Sequence, residues 1–232
     1  MKTTIVTLFM FIAHLVIAQT INQFDTNGKR DGVWKKYFDD SKVLRYEGAF
    51  SHGKEIGLFK FYKNIDNKPS LTATKQFNSA DNKAYVTFYT STGKVISEGE
   101  MNGKIYIGEW KYYQKTSKNL LTLENYDENG NLDGDRFVYY NNGQIAEKQH
   151  YERGKLNGTS IWYSPNKTIL KEFIYVNGEL DGVSKYYDSK GNLIIEGSYK
   201  NGKKHGIWNY YEDGKLVEKK DFTHIQRDSK KD

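Results

Sequence analysis

The sequence predicts an all-β fold: an elongated antiparallel meander of about eight β-hairpin repeats in a single curved or twisted sheet. Three observations support this prediction. The chain repeats with a period of 24–27 residues, tight-turn residues recur too closely for long helices, and the segments between turns lack helical periodicity. Such an array usually presents surface along its length instead of building one catalytic pocket.

The repeat is clearest in a tyrosine column. Each unit opens with Gly, or once with Ala, and Tyr follows five residues later in every unit. The openers are 25, 27, 24, 26, 24, 24 and 24 residues apart. They are Gly32, Gly57, Ala84, Gly108, Gly134, Gly158, Gly182 and Gly206. The structural column consists of Tyr37, Tyr62, Tyr89, Tyr113, Tyr139, Tyr163, Tyr187 and Tyr211.

One unit, residues 181–204, shows why each repeat predicts a hairpin. Residues 182–187 form a first strand, residues 188–191 a turn, residues 192–200 a second strand, and Asn201-Gly202 the turn that leads onward. Asn and Gly tolerate the positive φ that tight turns require. Asn-Gly pairs begin at Asn27, Asn102, Asn129, Asn142, Asn157, Asn177 and Asn201.

Alternation along the strands assigns side chains to the two faces of the sheet. Trp208 and Tyr210 fall on one face, while Ile207 and Tyr211 fall on the other. Glycine within a strand normally weakens it, so we expect a ring from a neighbouring strand to cover these glycines. The glycines are Gly48, Gly99 and Gly197. Preceding glutamates are expected on the opposite face: Glu47, Glu98 and Glu196, with Glu124, Glu147, Glu172 and Glu218 in comparable places.

Two segments depart from the pattern. Residues 63–83, which include Pro69, are predicted to bulge or loop out. Pro165-Asn166-Lys167 replaces the usual glycine-bearing turn of the sixth unit.

The N-terminus predicts export. Residues 1–19 read as a signal peptide: Lys2 precedes an apolar stretch from Ile5 to Ala18, which is shorter than the roughly 20 residues of a membrane span. Residues 20–222 are then the repeat array, and residues 223–232 a flexible tail. We therefore expect a bacterial periplasmic, cell-surface or secreted protein without a stable transmembrane segment after cleavage.

The recurring text resembles the MORN-repeat variant of bacterial proteins. It occurs as GVWKKYFDD from Gly32, GEWKYYQKT from Gly108 and GIWNYYEDG from Gly206, with the linker NGKKHG from Asn201. The resemblance covers residues 27–222 and implies hairpins laid side by side. Members of the family are often described as YwqK-type antitoxins, which implies neutralisation of a toxin by direct contact.

Composition argues against catalysis. There is no Cys, the five His are scattered, and no metal-binding or phosphate-binding motif is present, so we expect no enzyme activity, no cofactor and no metal. The net charge of +6 is interleaved along the chain, which does not favour a nucleic-acid partner.

Protein binding by an exported scaffold is the leading hypothesis for function. Binding of a glycan or the cell wall is the alternative, and an antitoxin or immunity role is a further one. Packing of the rings against one another across strands is the first interpretation of the aromatic columns. Trp is also enriched in binding hot spots, so some rings are candidates for partner contact. The candidate binding residues are Trp34, Trp110, Trp162 and Trp208.

Overall fold

A computed structural model describes residues 20–223, and these residues form one antiparallel sheet of 19 strands. The all-β prediction is confirmed. The proposed signal peptide, and the predicted tail beyond Thr223, lie outside the described residues. The strands are β1 (Gln23–Phe24), β2 (Arg30–Tyr37), β3 (Leu44–Ser51), β4 (Lys54–Ile65), β5 (Lys68–Phe77), β6 (Lys83–Tyr89), β7 (Val95–Asn102), β8 (Ile105–Tyr113), β9 (Leu120–Tyr126), β10 (Gly134–Tyr139), β11 (Ile145–Glu152), β12 (Lys155–Leu156), β13 (Gly158–Tyr163), β14 (Ile169–Val176), β15 (Glu179–Leu180), β16 (Gly182–Tyr187), β17 (Leu193–Lys200), β18 (Lys203–Glu212) and β19 (Lys215–Asp221).

The strands pair in chain order, as a meander does. Eight hairpins follow one another: β2–β3, β4–β5, β6–β7, β8–β9, β10–β11, β13–β14, β16–β17 and β18–β19. The short strands β12 and β15 lead into the sixth and seventh hairpins. β1 adds a short arm at the outer edge of β2.

The opening glycine of each unit has a conformational role that the sequence pattern did not reveal. Gly206 has a φ of 68°, and the register between β17 and β18 shifts beside it. Positive φ is accessible to Gly at little cost and is typical of bulges. The third unit opens with Ala84, which does not have positive φ, and the pairing of β5 with β6 has no shift.

The prediction for residues 63–83 is wrong over most of their length. β4 and β5 form a continuous hairpin closed by Asp66 and Asn67, whose φ values are 51° and 58°. Two consecutive positive φ values suit a tight hairpin turn, and Asp and Asn tolerate this conformation. Pro69 lies within β5 opposite Asn64.

Turn chemistry follows the expectation at six of the seven Asn-Gly pairs, which lie at turns and have a glycine with positive φ. Both residues have positive φ at Asn177-Gly178 and Asn201-Gly202. At Asn157-Gly158, by contrast, Gly158 opens β13 and the pair is not a hairpin turn. In the sixth unit Lys167 takes the left-handed position, with a φ of 68°, that Gly191 holds in the seventh.

The sheet has two chemically distinct faces. We call the side that carries Trp34, Phe59, Trp110 and Trp208 the tryptophan face, and the side that carries the tyrosine column the tyrosine face. Most of the buried large side chains, including Phe59, Trp110 and Trp208, lie on the tryptophan face. Since the described residues form a single sheet, these rings are buried by neighbours on the same face.

Candidate functional site

On the tryptophan face, large rings pack directly over strand glycines, and we call each such pair a glycine cradle. Trp110 lies directly over Gly99 of the preceding strand, so that a β-carbon added to Gly99 would lie 2.6 Å from the indole. Phe59 covers Gly48 and Trp208 covers Gly197 in the same way. The predicted aromatic cover of all three strand glycines is therefore confirmed.

The cradles also show a size rule across the junctions between repeats. Where the preceding strand has Gly, the next unit supplies a large ring. Where the preceding strand has a larger residue, the next unit has serine: Ser160 faces Gln149, and Ser184 faces Phe173. The two serines are 1% and 0% exposed. Large and small side chains thus alternate, which close packing requires.

The four tryptophans predicted as binding residues differ in their surroundings. Trp110 and Trp208 are 0% and 1% exposed, so their rings pack inside the array. Trp34 is half-buried under the β1 arm: Phe24 packs edge-on at 5.0 Å, and the indole N–H donates to the Gln23 carbonyl at 3.0 Å.

Trp162 occupies a different position in the repeat from the other three. It follows its opening Gly by four residues, as Tyr112 and Tyr186 do, whereas the others follow by two. Its half-buried ring lies 5.1 Å from Phe173, which lies 5.1 Å from Tyr186. These rings form a partly exposed aromatic series in the C-terminal half.

A polar cluster interrupts the tryptophan face at its centre. Arg136 occupies the ring position of the fifth unit, and its Nε donates to Glu124 at 3.0 Å. Its guanidinium also donates to Gln149 at 3.0 Å and lies 3.9 Å from Glu147. Burial and the Glu124 carboxylate, which accepts the Tyr126 hydroxyl at 2.6 Å, raise the pKa of Tyr126.

The strand register corrects the assignment of three glutamates. Glu124 pairs with Trp110, Glu147 with Trp162 and Glu218 with Tyr210, so all three lie on the tryptophan face. Glu172 lies on the opposite face, as predicted, because it precedes the position of the cradle glycine. The register decided the outcome, since Glu124 stands at the glycine position itself.

The tyrosine column forms repeated hydrogen bonds on the other face. The hydroxyls of Tyr62 and Tyr187 donate to Glu47 at 3.0 Å and to Glu172 at 2.7 Å, and Tyr113 donates to Glu98. Burial, followed by the glutamate contact, raises the pKa of Tyr62 and that of Tyr187 to about 12. These tyrosines therefore stay neutral donors at physiological pH.

The tyrosine face also leaves apolar side chains exposed. They share the position directly after the opening residue, while lysines and glutamates such as Lys60 and Glu47, 3.7 Å apart, form the neighbouring row. The exposed fractions are 48% for Leu58, 47% for Tyr85, 42% for Val183 and 49% for Ile207.

Histidines do not converge on a reaction centre in residues 20–223. His52 bonds Asp25 at 2.8 Å and His150 bonds Asp135 at 2.8 Å, at separate turns and strands. Within the described part of the chain, no three His, Asp or Glu side chains are grouped to hold a metal ion. Nor does any helix there have the length and apolar character needed to cross a bilayer.

Comparison with known protein families supports the repeat interpretation. The family described as "MORN repeat variant" matches residues 132–153, 156–177, 180–201 and 204–224. These segments correspond to the last four hairpins, so the C-terminal half of the chain consists of repeats similar to that family. The first four hairpins lie outside the match but pair in the same meander.

No curated protein matches the chain. Among solved structures, a mutant of S. aureus TarM in complex with fondaparinux, alpha-GlcNAc-glycerol and UDP aligns with 10% identity and a TM-score of 0.28. The alignment covers 54% of this chain and 19% of that chain.

Proposed function

We propose that the chain is an exported, noncatalytic scaffold that binds another protein through its repeat sheet. The observation that carries the proposal is the repeated exposure of apolar side chains on the tyrosine face, at one position of the repeat. Exposed apolar positions framed by charged residues are typical of protein interaction surfaces. An antitoxin role would be a particular case in which the partner is a toxin.

Export is supported by the N-terminal pattern, in which a basic residue precedes an apolar stretch ending at Ala18. The N-terminal sequence of the protein recovered from its native host tests this part of the proposal. We expect the recovered chain to begin near Gln19. Recovery of a chain that begins at Met1 would contradict export by a cleaved signal.

The binding proposal is tested by affinity capture from an extract of the native host. The comparison variant replaces Leu58, Tyr85, Val183 and Ile207 with Ser, which removes exposed apolar groups without touching buried rings. We expect the unaltered chain to retain a protein that the variant loses, and that protein, once purified, to bind the unaltered chain directly. Capture of no protein, or of the same proteins by both chains, would contradict the proposal.

A second candidate is glycan binding, which the series Trp162–Phe173–Tyr186 favours. Partly exposed rings in line offer an apolar platform with polar neighbours, such as Lys171 opposite Trp162. A glycan array probed with the unaltered chain and with Trp162→Ala tests it. Binding that Trp162→Ala abolishes, with unfolding unchanged, would support this function, and an array without binding would remove it.

A further inference from the structure

A basic cleft lies at the N-terminal end of the sheet. Its volume is about 640 Å³, and no Asp or Glu lines it. The side chains that matter here are Arg30, Lys35, Lys36, Arg45, Trp34 and Tyr46. The cleft therefore combines Arg30, Lys36 and Arg45 with aromatic walls, while the Lys35 ammonium lies beside Glu47 on the tyrosine face.

Among residues 20–223, rings and a hydroxyl hold Arg30 in place, and no carboxylate pairs with it. Its guanidinium lies 4.9 Å from the ring centre of Trp34 and 5.2 Å from that of Phe50, and it donates to the Tyr46 hydroxyl at 3.2 Å. A guanidinium has five N–H donors, so the single hydrogen bond to Tyr46 leaves most of them available to a ligand. Stacking on two rings fixes the direction of the group before any ligand arrives.

Arg45 also has no acidic partner among residues 20–223; its guanidinium lies 5.8 Å from the Phe38 ring. The two lysines are partly neutralised, because Lys35 lies 3.5 Å from Glu47 and Lys36 lies 3.3 Å from the exposed Asp39. The two arginines are thus the uncompensated charges of the cleft. An arginine fork matches a carboxylate in a two-point contact.

We propose that this basic cleft binds an acidic, aromatic-containing segment of the partner protein, an inference that rests on the proposed function. Charge complementarity selects carboxylates, and the aromatic walls select an accompanying ring. Trp, Tyr and Arg are the residues enriched at the energetic centres of protein interfaces, which favours a protein segment over an anionic polysaccharide. The cleft has room for a few side chains of such a segment.

Fluorescence anisotropy with the full chain tests the inference. The probe is a fluorescein-labelled peptide of repeated Glu-Glu-Tyr triplets, and its Gln-Gln-Tyr counterpart tests the need for carboxylates. The variants are the double substitution Arg30→Gln with Arg45→Gln, and the single charge reversal Arg45→Glu at an exposed position. The matched control, Lys190→Gln with Lys215→Gln, removes the same charge from exposed positions outside the cleft.

We expect the acidic peptide to bind and the Gln-Gln-Tyr peptide not to. The double arginine variant and Arg45→Glu should each weaken binding about tenfold or more, whereas the lysine control should change it little. Thermal unfolding of each variant checks that the fold is kept, and we expect unaltered midpoints.

Three results would overturn the inference: no binding of the acidic peptide, equal weakening by the lysine control, or arginine-dependent binding of polygalacturonate without binding of the peptide. Affinity capture separates this failure from that of the proposed function. If the double arginine variant retains the native partner that the Ser variant of the tyrosine face loses, the cleft is not the site but the scaffold function stands.

Discussion

At the scale of single residues, the structure depends on what lies opposite each ring. Gly99 has an ordinary strand φ, so its conformation alone does not require glycine; the Trp110 indole does. Sequence alternation was enough to predict this contact, because each cradle glycine lies two residues from large side chains on the same face. Sequence alone did not reveal that the rings of Trp110 and Trp208 are buried within the array, since burial depends on how successive units pack together.

Gly99→Ala tests the cradle. The added methyl group would overlap the Trp110 ring, so we expect the free energy of unfolding to fall by about 1–3 kcal/mol. Urea denaturation followed by circular dichroism measures the change. An unfolding free energy equal to that of the unaltered chain would contradict the close contact.

Ser184→Ala is the opposite case on the same face. The Ser184 side chain is 0% exposed, and its Oγ has no hydrogen-bond partner among the described residues. Because a buried hydroxyl without a partner costs about 1–3 kcal/mol, its removal should leave stability unchanged or raise it. A clear loss of stability in the same urea experiment would show that the hydroxyl is bonded.

At the scale of secondary-structure elements, turns and bulges set the register that the strands follow. Hairpin existence was predictable from Gly and Asn spacing, but the identity of each turn was not. The Asp66-Asn67 turn lacks glycine, and the Asn157-Gly158 pair marks a bulge instead of a turn. Sequence alternation also misplaced Glu124, Glu147 and Glu218, because a shift of one residue moves a side chain to the other face. Glu124 stands at the cradle-glycine position and the other two stand two residues before it, whereas Glu172 stands one residue before it.

The β1 arm should respond to pH. The hydrogen bond with Asp25 raises the pKa of His52 above 6.5, and the same bond with His52 lowers the pKa of Asp25 below 3.8. The raised His52 pKa means that its contribution is fully present below about pH 6.5 and is lost as pH rises through the folded-state value. The lowered Asp25 pKa means that its contribution is present above about pH 3.8 and is lost on further acidification.

Amide hydrogen-exchange protection of Asn22 and Asp25, whose N–H groups bond Val33 and Lys29, measures how firmly the arm is held. We expect protection to be greatest at mildly acidic pH and to fall toward alkaline pH. His52→Asn keeps a residue suited to the positive φ of 48° at this turn and should remove the alkaline loss. Identical pH profiles in both proteins would contradict the His52–Asp25 contact.

At the scale of the whole molecule, two aromatic regions meet at a polar centre. Cradles formed by Gly48 and Gly99 lie on one side and the cradle formed by Gly197 on the other, while Arg136, Glu124 and Glu147 occupy the middle. The repeat period predicted a continuous sheet but not this division. The period follows the opening residues and the tyrosines, which are alike in nearly every unit, and not the ring position, where the fifth unit has Arg136.

Arg136→Ala tests the polar centre. Glu124 and Glu147 side chains are 14% and 21% exposed, so removal of the shared cation leaves two poorly solvated carboxylates. We expect a loss of about 2 kcal/mol in unfolding free energy, partly restored when Glu124→Gln is added. If Glu124→Gln deepened the loss instead, the two residues would not be compensating each other.

The central claim is that a cradle ring is buried against the glycine of the preceding hairpin, and a double-mutant cycle of Gly197→Ala and Trp208→Ala measures this directly. Gly197 and Trp208 belong to the seventh and eighth units, and the two residues touch across their junction. We expect Gly197→Ala to destabilise the unaltered chain but to cost little once the indole is gone, with a coupling of about 1–3 kcal/mol. Additive effects, agreeing within about 0.5 kcal/mol, would contradict the claim.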